Sequence, residues 1–124
     1  MREESSGHPG AKERLVAASG GDTKRTRVFD VVRGHDWPEP YTGRALHNPF
    51  LERWEAREED LAAALDAEAQ RFQDATAEGD FDRAVVWSGE GADLIRDVAP
   101  AARLLRRMGK EAEARLRSAR GFLD

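Results

Sequence analysis

The chain of 124 residues contains no cysteine. That excludes a disulfide framework and any thiolate metal site, and it fits a reducing, cytoplasmic setting. No apolar run approaches the roughly 18 residues that a membrane-spanning helix needs, so no membrane partner is expected. The opening Met-Arg-Glu-Glu-Ser-Ser has no apolar core of the secretory kind. Histidine is scarce: His8, His35 and His47 are the only three. No two of them are four residues apart on a helical pattern, and none lies in a His-Glu-x-x-His motif, so zinc has no supporting pattern. They read as one cap-region histidine and two loop histidines. Ser88 has no histidine near it in sequence to activate it. No internal repeat is present. The length is also short of the roughly 200 residues that a (β/α)₈ barrel requires.

What the chain does have is charge. Charged residues make up 35%, mean hydropathy is −0.72 and the net charge is −4. The molecule as a whole has no attraction for nucleic acid or anionic lipid. From Glu52 to Asp82 there are eleven acids and three bases, and from Arg103 to Arg120 seven bases and two acids. Both segments read as solvated helix faces. No aromatic residue interleaves with the tail arginines, as a nucleic-acid surface would want.

The segment from Lys24 to Trp54 stands apart as the one long stretch without a helical pattern. It holds three of the five prolines and two of the three tryptophans. Before it, His8-Pro9 starts a helix with Pro9 at the first position, Ala11, Leu15 and Ala18 share a face, and Gly20-Gly21 ends it. Residues 1–7 are polar and read as frayed. Thr26–Val32, rich in β-branched residues and closed by Gly34, reads as a strand with few possible neighbours in the chain. A strand without neighbours leaves its ladder unsatisfied, which hints at a missing partner. The two X-Pro pairs at Pro38 and Pro40 favour extended backbone, and Thr42–Leu46 suits one helical turn.

Asn48 is a good N-cap with Pro49 behind it. A long helix is then expected from Pro49 to about Ala77, with Phe50, Trp54, Leu61, Leu65 and Phe72 along one face and a break at Gly79-Asp80. Asp80 or Asp82 would cap a short element through Val85, Val86 and Trp87. Ala92–Val98 suits one or two helical turns. Pro100 begins the last helix, whose apolar residues are Ala101, Leu104, Leu105, Met108, Ala112 and Leu116. Gly109 within it costs about 1 kcal/mol relative to alanine, which favours a bend or an early end.

Three patterns bear on chemistry. Ser88-Gly89-Glu90-Gly91 superficially resembles a dinucleotide loop. However, the third glycine position holds Leu94, and Glu90 and Asp93 place negative charge where a pyrophosphate would lie. The small residues at 88, 89, 91 and 92 suit a close helix packing contact instead. The carboxylates Glu58, Glu59 and Asp60 read as an exposed face rather than as acid–base catalysts. Tyr41 and Arg44 are single loop residues able to meet an anionic ligand.

The residues themselves resemble a known family. Thr26-Arg27-Val28-Phe29-Asp30, the Trp-Pro-Glu-x-Tyr-Thr-Gly-Arg-Ala-Leu-x-Asn run from Trp37 to Asn48, and Phe50-x-Glu-Arg-Trp54 are similar to the C-terminal region of nitronate monooxygenases. A second block agrees: Gly79-Asp80-Phe81-Asp82, Val85 through Gly91, Asp93 through Val98, and Pro100-Ala101-Ala102. A third is Glu3-Glu4-Ser5 followed by His8-Pro9 and Lys12. The resemblance spans nearly the whole chain. It implies an FMN-dependent TIM-barrel (α/β) enzyme that oxidises alkyl nitronates to a carbonyl compound and nitrite. It equally implies that residues 1–124 form only the C-terminal part, mainly α with one or two short strands. The barrel strands, flavin-phosphate loops and catalytic histidine would all lie upstream of the position matching Met1.

On that reading no residue here is catalytic, none binds metal, and the chain alone carries no cofactor. The expected partner is the missing N-terminal barrel, or self-association. The resemblance points only to Gly89 and Glu90 as a cofactor-side turn, where the family often has Gly-Gln. An ionised glutamate accepts but cannot donate a hydrogen bond, which weakens a cofactor contact there. The alternative is a stand-alone helical interaction module without catalysis. An upstream reading frame encoding glycine-rich βα units would favour the first, and a ribosome-binding site just before Met1 the second.

Overall fold

Helix α1 (Pro9–Ala17) begins at His8, whose Nδ1 accepts a hydrogen bond from the Gly10 N–H at 3.1 Å. This computed structural model describes residues 1, 3–119 and 121. Arg120, counted above among the bases of the last helix, lies outside them. Two units divide the chain: residues 7–96, and residues 1–6 with 97–124.

In the first unit, α1 stops at Ala17, ahead of the expected glycine stop, and Gly20–Asp22 forms a 3₁₀ turn. The Asp22 carboxylate closes that turn by accepting from the Ser19 N–H at 2.7 Å and the Ser19 hydroxyl at 3.0 Å. Those bonds favour the charged form and hold its pKa below the usual value.

Strand β1 is Thr23–Thr26 and pairs antiparallel with β2, Gly43–Leu46, in the register Thr23 to Leu46 and Thr26 to Gly43. Both elements correct the sequence reading. The expected strand Thr26–Val32 ends where it was to begin, because Val28–Val32 is a helix, α2. The Thr26 hydroxyl accepts from the Val28 N–H at 3.0 Å and turns the chain there. Val28, Phe29 and Val32 are all buried. Their spacing puts them on one helical face but on opposite faces of a strand, so burial overrides β-propensity. Thr42–Leu46, expected as a helical turn, supplies the ladder partner instead. The partner inferred to be missing for this strand is therefore inside the chain.

The other edge of β2 is paired as well. The Leu46 N–H donates to the Val86 carbonyl at 2.9 Å, and the Ser88 N–H to the Arg44 carbonyl at 3.1 Å. Residues 86–88 thus run extended beside β2, with a bridge between Ala45 and Trp87. Gly43 lies directly under Trp87, and a Cβ there would overlap the indole. Gly43→Ala is expected to cost about 1–3 kcal/mol by overpacking. Urea unfolding with tryptophan emission as the readout checks this, since the ring must shift for the alanine to fit.

Asn48 caps α3 (Pro49–Trp54) as expected. Its Oδ1 accepts from the Leu51 N–H at 2.9 Å, while its amide donates to the carbonyls of Phe81 and Ala84 at 3.1 and 3.0 Å. The single long helix expected to Ala77 is three: α3, α4 (Glu58–Ala63) and α5 (Leu65–Glu78). The first break is at Ala56, with φ +58°, and the second at Ala64. One straight helix over that range would be about 43 Å long, against about 30 Å across a domain of some 90 residues. Breaking it lets Phe50, Leu51, Trp54, Leu61 and Phe72 all pack in one cluster with Phe29. Gly79 ends α5 in the left-handed conformation at φ 75°. Of the two candidate caps, Asp80 acts: its carboxylate accepts from the Asp82 N–H at 3.0 Å. The segment it precedes is a turn and then the extended residues 86–88, rather than a helix. Glu90–Leu94 is a 3₁₀ turn, and Ile95 after it is extended, so the helical turns expected for Ala92–Val98 are mostly absent.

A second cluster gathers Leu46, Phe81, Ala84 and Val86, with Ala11, Leu15 and Ala18 of the α1 segment packed against it. Glu68 of α5 is the buried exception on an otherwise solvated acidic face, at 2% exposure. Its carboxylate accepts from Arg71 at 2.9 Å and from Arg83 at 2.7 Å.

In the second unit, the expected fraying of residues 1–7 is not observed at Met1, Glu3 and Glu4. The Met1 ammonium donates to the Asp97 carbonyl at 3.0 Å, the Ala99 N–H to the Met1 carbonyl at 3.0 Å, and the Glu3 N–H to the Ala99 carbonyl at 2.9 Å. The Glu4 carboxylate accepts from the Ala101 N–H at 2.9 Å, at the start of α6 (Ala101–Ala119). A negative charge at that end suits the helix dipole. Helix α6 runs through Gly109 without ending, and its Leu105, Met108 and Leu116 are exposed.

Candidate functional site

The turn to which the sequence pointed, Gly89-Glu90, lies on the wall of a cavity of about 310 Å³ with Arg25, Thr42 and Arg44. β1 and β2 place the two arginines opposite each other in register. The Glu90 carboxylate is 2.6 Å from the Arg44 guanidinium, which also donates to the Thr23 carbonyl and hydroxyl at 3.2 Å. Arg25 reaches the Thr42 carbonyl at 3.3 Å. A flavin phosphate is a dianion and needs free cations or converging N–H groups. Here Arg44 is already neutralised by Glu90, and Gly89 opens a 3₁₀ turn of only five residues. Arg25, which makes no ion pair among the described residues, is the one cation on this wall left for an anion.

The close approach expected of the small residues 88–92 does occur, but its neighbours are not a helix. Gly20, in the 3₁₀ turn before β1, comes so near that a Cβ on it would lie 2.6 Å from the Glu90 carbonyl oxygen. Its N–H donates to the Asp93 carboxylate at 3.0 Å. Ser88 meets β2, and Ala92 is buried. At Gly89 itself no atom lies within 4 Å of where a Cβ would sit, so its outer side is open.

A second cavity, of about 340 Å³, was not foreseen. Asp30, Arg33, Trp37, Tyr41, Gly43 and Trp87 line it, and Asp30 is the buried one among them, at 5% exposure. Helix α2 supplies Asp30, the loop after it supplies Arg33, Trp37 and Tyr41, and the strand-like residues 86–88 supply Trp87. The Arg33 guanidinium sits 5.8 Å above the Trp87 ring. Asp30 Oδ2 is buried without a hydrogen-bond partner, as is Trp54 Nε1 in the core. Tyr41 and Arg44, paired in the sequence reading, fall in different cavities. The available signal was a carboxylate inside the apolar run from Val28 to Val32.

The histidines stay apart. His8 caps α1 and packs 5.3 Å from the Phe81 ring, while His35 and His47 are exposed. No group of three or more potential metal ligands comes together among the described residues. Glu58, Glu59 and Asp60 form the first turn of α4. No described helix is long and apolar enough to cross a membrane.

No family model matches the chain. Nitronate monooxygenase from Neurospora crassa is 35% identical over 112 residues, covering 87% of this chain and 28% of that protein. FabK from Thermotoga maritima superposes with a TM-score of 0.71 at 27% identity, covering 98% of this chain and 36% of that one. A single-site mutant of the same protein gives 0.65 at 26% identity, over 98% and 33%. The chain thus spans about a third or less of the proteins it matches. The fold and these matches relate it to proteins of the TIM-barrel flavoenzyme class, as a mostly helical part without a barrel among its described residues. Its sequence is similar to nitronate monooxygenase, and the matched extent fits a C-terminal part of such an enzyme.

Proposed function

We propose that this chain is the C-terminal part of an FMN-dependent nitronate monooxygenase and that it has no nitronate chemistry alone. The supporting observation is the extent of the match: 87% of the chain against 28% of the relative. Two strands among the described residues cannot form a barrel mouth, where such enzymes place cofactor and substrate. The parent reaction oxidises an alkyl nitronate to a carbonyl compound and nitrite with molecular oxygen as the oxidant, and FMN would carry the electrons. This chain's residues contribute packing. Gly89 and Glu90 belong to a surface turned toward the rest of the enzyme, because the outer side of Gly89 is open.

The partner on this reading is the barrel of the same enzyme, or a second copy when the barrel is absent. The exposed Leu105, Met108 and Leu116 of α6 support an unmet apolar surface. A stand-alone interaction module is the other reading, favoured by the separate core that residues 7–96 already possess. The isolated protein is expected to bind an apolar-surface dye or to self-associate on a sizing column. A dye-silent monomer would favour the stand-alone module. Titrating it with FMN is expected to leave flavin fluorescence unchanged, and saturable quenching at one flavin per chain would overturn the proposal.

A further inference from the structure

The cavity at Asp30 has chemistry that the enzyme reading does not use. All its lining residues belong to residues 7–96, so it stands independently of that reading. A buried carboxylate oxygen normally has a donor, and Asp30 Oδ2 has none. Asp30 also makes no ion pair among the described residues. Arg33 is the one cation among the lining residues, but its guanidinium lies over the Trp87 ring. The remaining walls are aromatic. Trp37 is 57% exposed and Tyr41 66%, beside Trp87 at 40%. Large aromatic faces this open are available for a flat group to stack on. The Trp87 ring already carries the Arg33 guanidinium, so Trp37 and Tyr41 are the aromatic faces of this cavity left for a ligand.

We infer that this cavity binds an organic cation, a guanidinium or primary ammonium group on a small flat or short-chain body. The cation pairs with the Asp30 carboxylate, and the body stacks on Trp37 with Tyr41 at the rim. The volume, about 340 Å³, suits a small ligand. Arg33 sets the selectivity against large polycations, since a second positive charge would meet its guanidinium. The same group is also offered by an arginine or lysine side chain of another protein, so the test separates the two sources.

The experiment titrates the full chain with benzylammonium and butylguanidinium, following tryptophan emission and the indole N–H signals of Trp37 and Trp87. Benzyl alcohol and butyrate are the neutral and anionic controls, and a short acetylated arginine peptide is the protein-source arm. Benzylammonium is expected to bind about tenfold or more tighter than benzyl alcohol, the difference a charge-assisted hydrogen bond makes. Butyrate should not bind. Asp30→Asn keeps the side-chain shape and should remove the preference for the cation. Circular dichroism checks its fold. Trp37→Ala, on an exposed residue, should weaken all stacking probes about threefold or more with the fold intact. A tighter peptide than butylguanidinium assigns the cation to a partner side chain, and the reverse assigns it to a free amine or guanidine. Equal binding of benzylammonium and benzyl alcohol, or unchanged affinity in Trp37→Ala, overturns the inference.

Discussion

Phe29→Ala is expected to remove about 3–5 kcal/mol of stability, the largest effect of any single substitution considered. Phe29 is fully buried, and its ring lies 6.1 Å from Phe50, 6.2 Å from Phe72 and 6.0 Å edge-on to Trp87. Phe50 and Phe72 are themselves 5.9 Å apart. The ring therefore joins α2, α3, α5 and the extended residues 86–88. Its loss leaves a cavity that four elements cannot close together. A domain of some 90 residues is stable by about 5–14 kcal/mol, so the loss is a large share of the total. Guanidinium unfolding of residues 7–96 within the full chain measures it. A loss under about 1 kcal/mol would mean that this cluster does not hold the unit together.

Glu68→Ala is expected to cost about 1–3 kcal/mol. Burial disfavours its charge, but hydrogen bonds from Arg83 and then Arg71 outweigh burial and hold its pKa below the ordinary value. Both arginines keep contact with solvent, so they rehydrate when the glutamate goes, and the loss stays below that of a fully buried pair. The lowered value fixes the sign of the pH effect. A carboxyl with a lower pKa folded than unfolded adds stability at pH above the ordinary carboxylate range. That stability is lost as the pH falls through the folded value. The original protein should therefore lose stability on acidification faster than Glu68→Gln does. Parallel slopes for the two, from unfolding midpoints between neutral and acid pH, would contradict the pairing.

The local signals in the sequence placed several elements well. Asn48 and Pro49, Pro9 after His8, Gly79 and Pro100 each mark a boundary through their own backbone chemistry, and each boundary is where the structure has it. The errors arose where distant contacts decide. Residues 28–32 have strand propensity but form a helix because Val28, Phe29 and Val32 face one core. Thr42–Leu46 becomes a strand because Thr23–Thr26 and residues 86–88 flank it. The breaks at Ala56 and Ala64 carry no glycine or proline to announce them.

The site was legible only in part. The Gly89-Glu90 turn was marked by composition and family order. Its ion pair with Arg44 depends on a register that sequence spacing does not reveal. Asp30 closes the Thr26–Asp30 motif, yet nothing local says that a carboxylate there is buried with an unpartnered oxygen. Glu68 was missed for the same reason, since its neighbours on the helix are exposed acids.

On the proposed function this chain carries part of a flavoenzyme and not its chemistry. The most direct measurement is nitrite release from an alkyl nitronate in air, with purified chain and added FMN, against FMN alone. The expected rate is the same in both, with a colourless protein after removal of free flavin. A yellow protein holding one FMN per chain and releasing nitrite with turnover would contradict it.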